Sequence, residues 1–377
     1  MIAAGPSKRC RGKGETTFRM GHFDDYLGTR PVADAHRFDV VALERYLRAH
    51  VEGFSGSLKV EQFKGGQSNP TFKLTAGGKS YVLRRKPSGV LLPSAHAVDR
   101  EYRVISALAG SAVPVPRTYC LCTDDTVIGT MFYIMDWVDG RILWDPQLPG
   151  MAPAERRGIF AEMNRVIAAL HCVDFAAIGL ANYGRPGNYF ARQIDRWSKQ
   201  YKASETEKID AMDNLITWLP QNIPAHEATS IVHGDYRIDN MIFHATEPRV
   251  LAVLDWELST LGHPKADFSY HMMTWRLSSV EFRGLRGCDL AALGIPTEDE
   301  YLDMYLRRTG VAAKPSAKDW SFCLAYNMFR MAAIFQGVMA RAVAGNAASE
   351  LALETGRRAR PMAELGWKQV EQMHAAD

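Results

Sequence analysis

Asp235, Asn240 and Asp255 are oxygen-bearing residues at the mouths of two short apolar runs. The first run ends Ile231-Val-His-Gly-Asp-Tyr-Arg-Ile-Asp-Asn-Met-Ile-Phe243, and the second is Val250-Leu-Ala-Val-Leu-Asp-Trp-Glu257. Two carboxylates and an amide offer the hard oxygen ligands that Mg2+ prefers. Phosphoryl transfer needs such a set: one carboxylate to take a hydroxyl proton, and an Asn and an Asp to hold metal against ATP phosphates. Asp and Asn also populate ordinary turns, because they hydrogen-bond their own backbone. The fixed order of His-Gly-Asp, Asn, strand, turn, strand and Asp-Trp-Glu is far more restrictive than a lone turn.

These side chains need a rigid frame. The runs Asn240 to Phe243 and Val250 to Leu254, parted by a polar turn with Pro248, read as a β-hairpin. Connecting segments held by such strands are where reacting groups are placed. Upstream, Phe63-Lys-Gly-Gly-Gln-Ser-Asn-Pro-Thr-Phe-Lys-Leu74 reads as a hairpin with a glycine-rich tip. Gly65 and Gly66 would let backbone N–H groups approach phosphates, and Ser68 and Asn69 would add donors. Ser80 to Lys86 reads as the next strand, with Arg85 and Lys86 on its solvent face or at its end. In the helix from Ala97 to Leu108, Glu101 falls on the apolar stripe of Val98, Ile105 and Leu108. A carboxylate facing inwards requires a cationic partner.

Composition excludes several classes. The chain of 377 residues is 47% hydrophobic and 23% charged, with a net charge of +3, too small to argue for a nucleic-acid partner. It has room for two packed lobes. No apolar run reaches the roughly 18 residues of a membrane span. The six cysteines are scattered, which fits free thiols in a reducing cytoplasm rather than a zinc site. Residues 1–30 are basic and polar without a following apolar run, so no signal peptide is expected. They read as a disordered extension, or as a start placed too early, since Met20 serves equally well as a first residue.

The segments His233 to Asn240 and Leu254 to Glu257 resemble the catalytic and metal loops of the aminoglycoside phosphotransferase family, whose fold is protein-kinase-like. Leu92-Pro-Ser-Ala-His-Ala-Val-Asp-Arg-Glu101 and Gly262-His-Pro-Lys-Ala-Asp267 resemble more closely the kinase-like domain associated with acyl-CoA dehydrogenases. The resemblance spans roughly residues 35–345. It implies an α+β bilobal fold: residues 31–138 a small antiparallel sheet with one helix, residues 139–377 a larger, mainly helical lobe.

The resemblance also implies roles. Arg84 would be the cation on the ATP phosphates, where protein kinases have Lys, and Glu101 would be its ion-pair partner. Arg is planar and bidentate, so it suits phosphate as well. The backbone from Asp136 to Val138 would meet adenine at the hinge between lobes. Asp235 would accept the hydroxyl proton, Asn240 and Asp255 would hold Mg2+, and His233 would order the loop. Asp267 can N-cap its helix; the resemblance adds that it braces the catalytic loop. His171 reads as structural. The aromatics between Asn182 and Gln221 read as core, although in the family this segment helps wall the acceptor site. The last thirty or so residues read as a partly packed helical tail.

The expected activity is therefore ATP- and Mg-dependent transfer to a small-molecule hydroxyl. The resemblance suggests a hydroxyacyl-CoA acceptor and a functional link to an acyl-CoA dehydrogenase. Aminoglycoside, choline or sugar acceptors are the alternatives, as is a non-catalytic nucleotide-binding regulator.

Overall fold

The structure is a computed structural model that describes residues 28–64, 69–87, 97–345 and 351–374. Gly65, Gly66 and Ser68 lie outside the described residues, as do residues 1–27 of the N-terminal extension and residues 92–96 of the motif leading to Glu101. An antiparallel sheet of order β1-β2-β3-β4-β6-β5 forms the smaller lobe. Its strands are β1 (Thr29–Arg30), β2 (Lys59–Phe63), β3 (Thr71–Ala76), β4 (Lys79–Arg85), β5 (Thr118–Cys122) and β6 (Phe132–Asp136). Helix α1 (Val40–His50) starts at Asp39, whose Oδ1 accepts the Ala42 N–H at 2.9 Å. It buries Leu43 and Leu47 against Phe72, Leu74, Leu83 and Ile134 on one face of the sheet. Helix α2 (Val98–Leu108) covers the other face with Val98, Val104, Ile105 and Leu108.

Because strand side chains alternate, Tyr81, Leu83 and Arg85 share the α1 face, whereas Val82 and Arg84 share the α2 face. Arg85 was expected on the solvent side or at the strand end. It does end β4, but it is only 2% exposed. Its guanidinium lies 5.2 Å from the Phe38 ring and 5.4 Å from the Phe72 ring, and it donates to the His36 carbonyl at 3.1 Å. The face is closed by residues N-terminal to α1, which strand alternation cannot reveal.

The larger lobe is mainly helical: α3 (Pro153–His171), α4 (Tyr189–Ala203), α5 (Asp210–Trp218), α6 (Pro264–Arg276), α7 (Ser279–Phe282), α8 (Leu290–Leu293), α9 (Glu298–Thr309), α10 (Ala317–Val343), α11 (Ala352–Gly356) and α12 (Ala359–His374). Short ladders carry the loops: β7 (Arg141–Ile142) pairs β9 (Met241–Phe243), β9 pairs β10 (Val250–Val253), and β8 (Ser230–Val232) pairs β11 (Thr260–Gly262). The expected hairpin is β9–β10. The chain is α+β and bilobal.

Tyr189, Phe190, Trp197 and Tyr201 of α4 are core, packed with α5, α6, α10 and α12. The C-terminal stretch is more than a partly packed tail, because Met362, Ala363 and Val370 of α12 sit in that same core, at most 1% exposed. Among the described residues no helix is long and apolar enough to cross a membrane.

Candidate active site

Strand β8 delivers His233-Gly234-Asp235 to the cleft, and Asp267 of α6 fixes the loop from below. Its Oδ2 accepts the His233 N–H at 2.7 Å and its Oδ1 the Gly234 N–H at 2.8 Å. The N-cap role expected of Asp267 belongs instead to His263, whose ring nitrogen accepts the Lys265 N–H at 3.1 Å. Asp267 lies one turn inside the helix, which frees both its oxygens for the loop. His171, the last residue of α3, stands 3.2 Å from the same carboxylate and 2.7 Å from the Tyr305 hydroxyl. Burial would raise the Asp267 pKa, but the His171 contact and the His233 N–H outweigh it and hold the carboxyl below the usual range. His233 Nε2 reaches the Leu254 carbonyl at 2.8 Å, joining the loop to the end of β10. Gly234 has φ +82°, and a Cβ there would meet the Leu258 carbonyl oxygen at 2.9 Å. Glycine is required by both conformation and space.

Two buried histidines on or beside α6 give a stability prediction. Burial pushes both His263 and His271 down to about 4. The unfolded chain binds those protons near the ordinary value of about 6.5. Their stabilising share is therefore complete above that value and is lost as pH falls towards the folded values. Asp267, with a lowered folded pKa, acts in the same direction at still lower pH. By pH 5 we expect the unfolding free energy to drop by about 2 kcal/mol for each histidine. Denaturant melts at pH 7.5, 6 and 5 check this, and a flat profile would refute it.

Asp235 sits inside a ring of donors. The Tyr270 hydroxyl of α6 donates to Oδ1 at 2.5 Å, and Arg237 Nε pairs with Oδ1 at 3.1 Å. Arg237 Nη2 donates to Oδ2 at 3.3 Å, and Asn240 Nδ2 donates to Oδ2 at 3.0 Å and to the Asp235 carbonyl at 2.8 Å. With its NH2 held there, the Asn240 amide oxygen points the other way. Burial would raise the Asp235 pKa, yet Arg237 and the Tyr270 hydroxyl outweigh it and keep the carboxyl below its ordinary range. Beneath Tyr270, Arg330 of α10 lies 5.2 Å from the ring and donates to the Gly234 carbonyl at 2.6 Å. Tyr270, Arg237 and Arg330 received no role from the sequence. Tyr270 and Arg330 are far away in the chain, and only the folded α6 and α10 bring them here. Arg237 stands two residues from Asp235, and that spacing was a usable signal.

The second cluster ties β4 and α2 to the residue that follows Leu254, whose N–H is taken by the Asn240 carbonyl at 2.8 Å. Arg84 Nε pairs with Glu101 Oε2 at 2.8 Å, and Arg84 Nη2 with Asp255 Oδ1 at 2.6 Å. Glu257 follows at 3.7 Å. Burial would lower the Arg84 pKa, but Glu101 and Asp255 outweigh it and keep the guanidinium charged. Glu101, 1% exposed, also accepts from the Tyr133 hydroxyl at 3.1 Å and from Asn69 Nδ2 at 2.9 Å. Burial pushes its carboxyl up against the pull of Arg84. Asn69, expected to offer donors to phosphate, gives its amide Nδ2 to Glu101 and helps to hold it. Asp255 adopts the left-handed conformation, φ 62° and ψ 60°, which turns its carboxylate to the cleft at the start of the Trp256–Leu258 turn. Non-glycine residues in that region are uncommon and often functional.

The carboxylate oxygens of Glu101, Asp255 and Glu257 come within 4.8 Å of one another. One guanidinium against three carboxylates leaves a surplus of negative charge, and the donors are hard oxygens. Donors of this kind fit a divalent cation of the Mg2+ type.

At the hinge, the Asp136 N–H is taken by the Arg117 carbonyl at 2.8 Å, and its carboxylate accepts from the Tyr119 hydroxyl. Trp137 stacks on Phe63 with ring centres 5.8 Å apart, and Lys73 Nζ lies 4.1 Å from the Trp137 ring centre. Any contact of Asp136 with a purine is thereby left to its carbonyl.

Comparison with known proteins adds to this geometry. Residues 59–320 match the family model described as "Phosphotransferase enzyme family". The chain is 46% identical over 342 residues to mouse acyl-CoA dehydrogenase family member 10, covering 90% of this chain and 32% of that protein. It therefore spans about a third of that relative's length. A crystal structure of a candidate aminoglycoside phosphotransferase from Ralstonia eutropha is 60% identical, covers 89% of this chain and 99% of its own, and superposes with a TM-score of 0.82. The aminoglycoside phosphotransferase APH(4)-Ia, solved with ADP and hygromycin B, shares the fold at a TM-score of 0.55 and 16% identity, over 87% of this chain and 98% of its own.

Proposed function

The chain belongs to the phosphotransferase enzyme family, and from that premise we propose that it transfers the γ-phosphoryl group of ATP to a hydroxyl of a hydroxyacyl-CoA. The observation that supports the transfer is a run of contacts through Asp255: it follows Leu254, whose N–H is taken by the Asn240 carbonyl at 2.8 Å, Asn240 donates to the Asp235 carboxylate at 3.0 Å, and the Asp255 carboxylate pairs with Arg84, which Glu101 also holds. Mg2+-bound ATP supplies the electrophilic phosphorus and a leaving group whose charge the metal neutralises. Asn240 and Asp255 are the ligands offered to the metal. Arg84, aimed by Glu101, offers its remaining N–H groups to phosphate oxygens. The Asp136 carbonyl and the Val138 backbone offer the adenine edge a hydrogen-bonding partner.

Asp235 accepts the hydroxyl proton at Oδ1 or Oδ2. Its low pKa is no obstacle, because in a loose transition state the hydroxyl loses its proton late and positioning dominates. Tyr270, Arg237 and Asn240 set the direction of that carboxylate.

The acceptor class rests on the relatives. A chain like this one forms part of proteins named for acyl-CoA dehydrogenation, so an acyl thioester is the substrate most economically shared, and a dehydrogenase is its functional neighbour. The site of action is the cytoplasm, where ATP is plentiful and free thiols persist. ATP consumption with Mg2+ against 4-hydroxyacyl-CoA, 3-hydroxyacyl-CoA, kanamycin, choline and a hexose tests the reading. Turnover is expected on a hydroxyacyl-CoA. Preference for kanamycin, choline or the sugar would overturn the acceptor, and absence of ATP binding would overturn the reaction.

A further inference from the structure

Behind the Asp235 ring lies a narrow slot that the phosphoryl chemistry does not use. Its walls come from Phe160 and Met163 of α3, Met273 and Thr274 of α6, Leu277, and Phe282 of α7. Arg237 and Tyr270 line it as well, and both of them touch Asp235. The slot therefore adjoins two of the side chains that hold Asp235, although Asp235 itself is not among its walls. Its open space is about 40 Å³, against roughly 300–1,000 Å³ for pockets that enclose drug-sized ligands. That room suits a few methylenes and excludes a sugar ring. Charged groups stand on one wall only: Arg237 is shared between Asp235 and Asp239, and Arg283 donates to Asp239 at 2.6 Å. The rest of the lining is mostly apolar, with the Thr274 hydroxyl and the His271 and Trp144 rings among it, so an aliphatic tail is desolvated there at less cost than a polar one.

We propose that this slot holds the aliphatic tail of the acceptor, beyond its hydroxyl-bearing carbon, and sets the chain length that the enzyme accepts. The proposal rests on the hydroxyacyl reading above. Short tails fill the slot and bring the hydroxyl to Asp235. Longer tails must displace Phe282 or leave the hydroxyl short of the carboxylate. Phe282 packs under the Arg237 guanidinium at 5.7 Å, so the slot floor and the wall of the Asp235 ring move together.

The test is the kcat/KM of straight-chain 4-hydroxyacyl-CoA esters of graded length, measured with the parent chain, Phe282→Ala and Thr274→Met. One methylene in an apolar pocket discriminates at least about tenfold. Widening by Phe282→Ala should raise the ratio of long-chain to short-chain kcat/KM about tenfold, and filling by Thr274→Met should lower it by a similar factor. ATP affinity should stay constant in both. Because Phe282 also supports Arg237, the Thr274→Met arm decides the matter if Phe282→Ala loses activity on every ester. Turnover of the esters with an unchanged length ratio in Thr274→Met would overturn the slot and leave the acceptor reading standing. No turnover of any ester by the parent chain would overturn the acceptor reading, and the slot with it.

Discussion

Replacing Asp235 by Asn will reduce turnover on the accepted substrate by about 10²–10⁴-fold, the range that a positioned general base supplies, while nucleotide affinity stays at the parent value. The surrounding ring explains why the variant should fold. Arg237 keeps Asp239, 3.5 Å away, as a carboxylate partner, and Tyr270 can still donate to an amide oxygen at 235. The amide nitrogen, however, would replace Oδ2, which accepts from Asn240 and Arg237. Donors would then face donors, at about 1–2 kcal/mol of stability. A parallel denaturant melt separates that loss from the far larger loss of rate. Parent-like turnover in Asp235→Asn would place the proton acceptor elsewhere.

The sequence revealed the parts of the site that follow a local rule. Glu101 could be placed facing inwards from the period of its helix, and its need for a cation follows from burial alone. Arg84 was singled out by the family resemblance, and the strand alternation that sets it apart from Arg85 puts it on the side of that helix. The His-Gly-Asp turn and the β9–β10 hairpin carry their own turn chemistry. What was hidden depends on distant packing. Arg85 is buried because Phe38, outside any strand, closes the α1 face. The contact of Asn69 with Glu101 was hidden because it joins residues 32 apart in the chain. Tyr270 reads from sequence as another aromatic of a buried helix, and Arg330 as a charged residue in a helix otherwise rich in apolar side chains. Their meaning appears only once α6 and α10 pass beneath the loop. Asp267 looks like a helix cap at the level of spacing, but His263 takes that place.

Replacing Arg84 by Met separates stability from binding in the Arg84–Glu101 cluster. Glu101 would remain, 1% exposed, without its cation. Removing one partner of a buried ion pair costs about 3–5 kcal/mol. The lower end is expected, because the Tyr133 hydroxyl and the Asn69 amide continue to donate to Glu101 and the carboxyl can take up a proton. Asp255 and Glu257 contribute less to the loss, since they face the cleft, where water screens them. In the double variant Arg84→Met/Glu101→Gln the buried charge is gone, and the Gln oxygen can accept from Asn69 while its NH2 donates to the Tyr133 hydroxyl oxygen. More than half of the lost stability should return, giving a coupling energy well above the few tenths expected of independent sites. Nucleotide affinity should not return, because no cation is restored to the phosphates. Additive melts would mean that Arg84 and Glu101 are not energetically paired. Parent-like ATP affinity in Arg84→Met would remove Arg84 from the phosphate site even if the pair is confirmed. The two readouts can thus fail separately, because Glu101 acts on the nucleotide only through the direction it gives to Arg84.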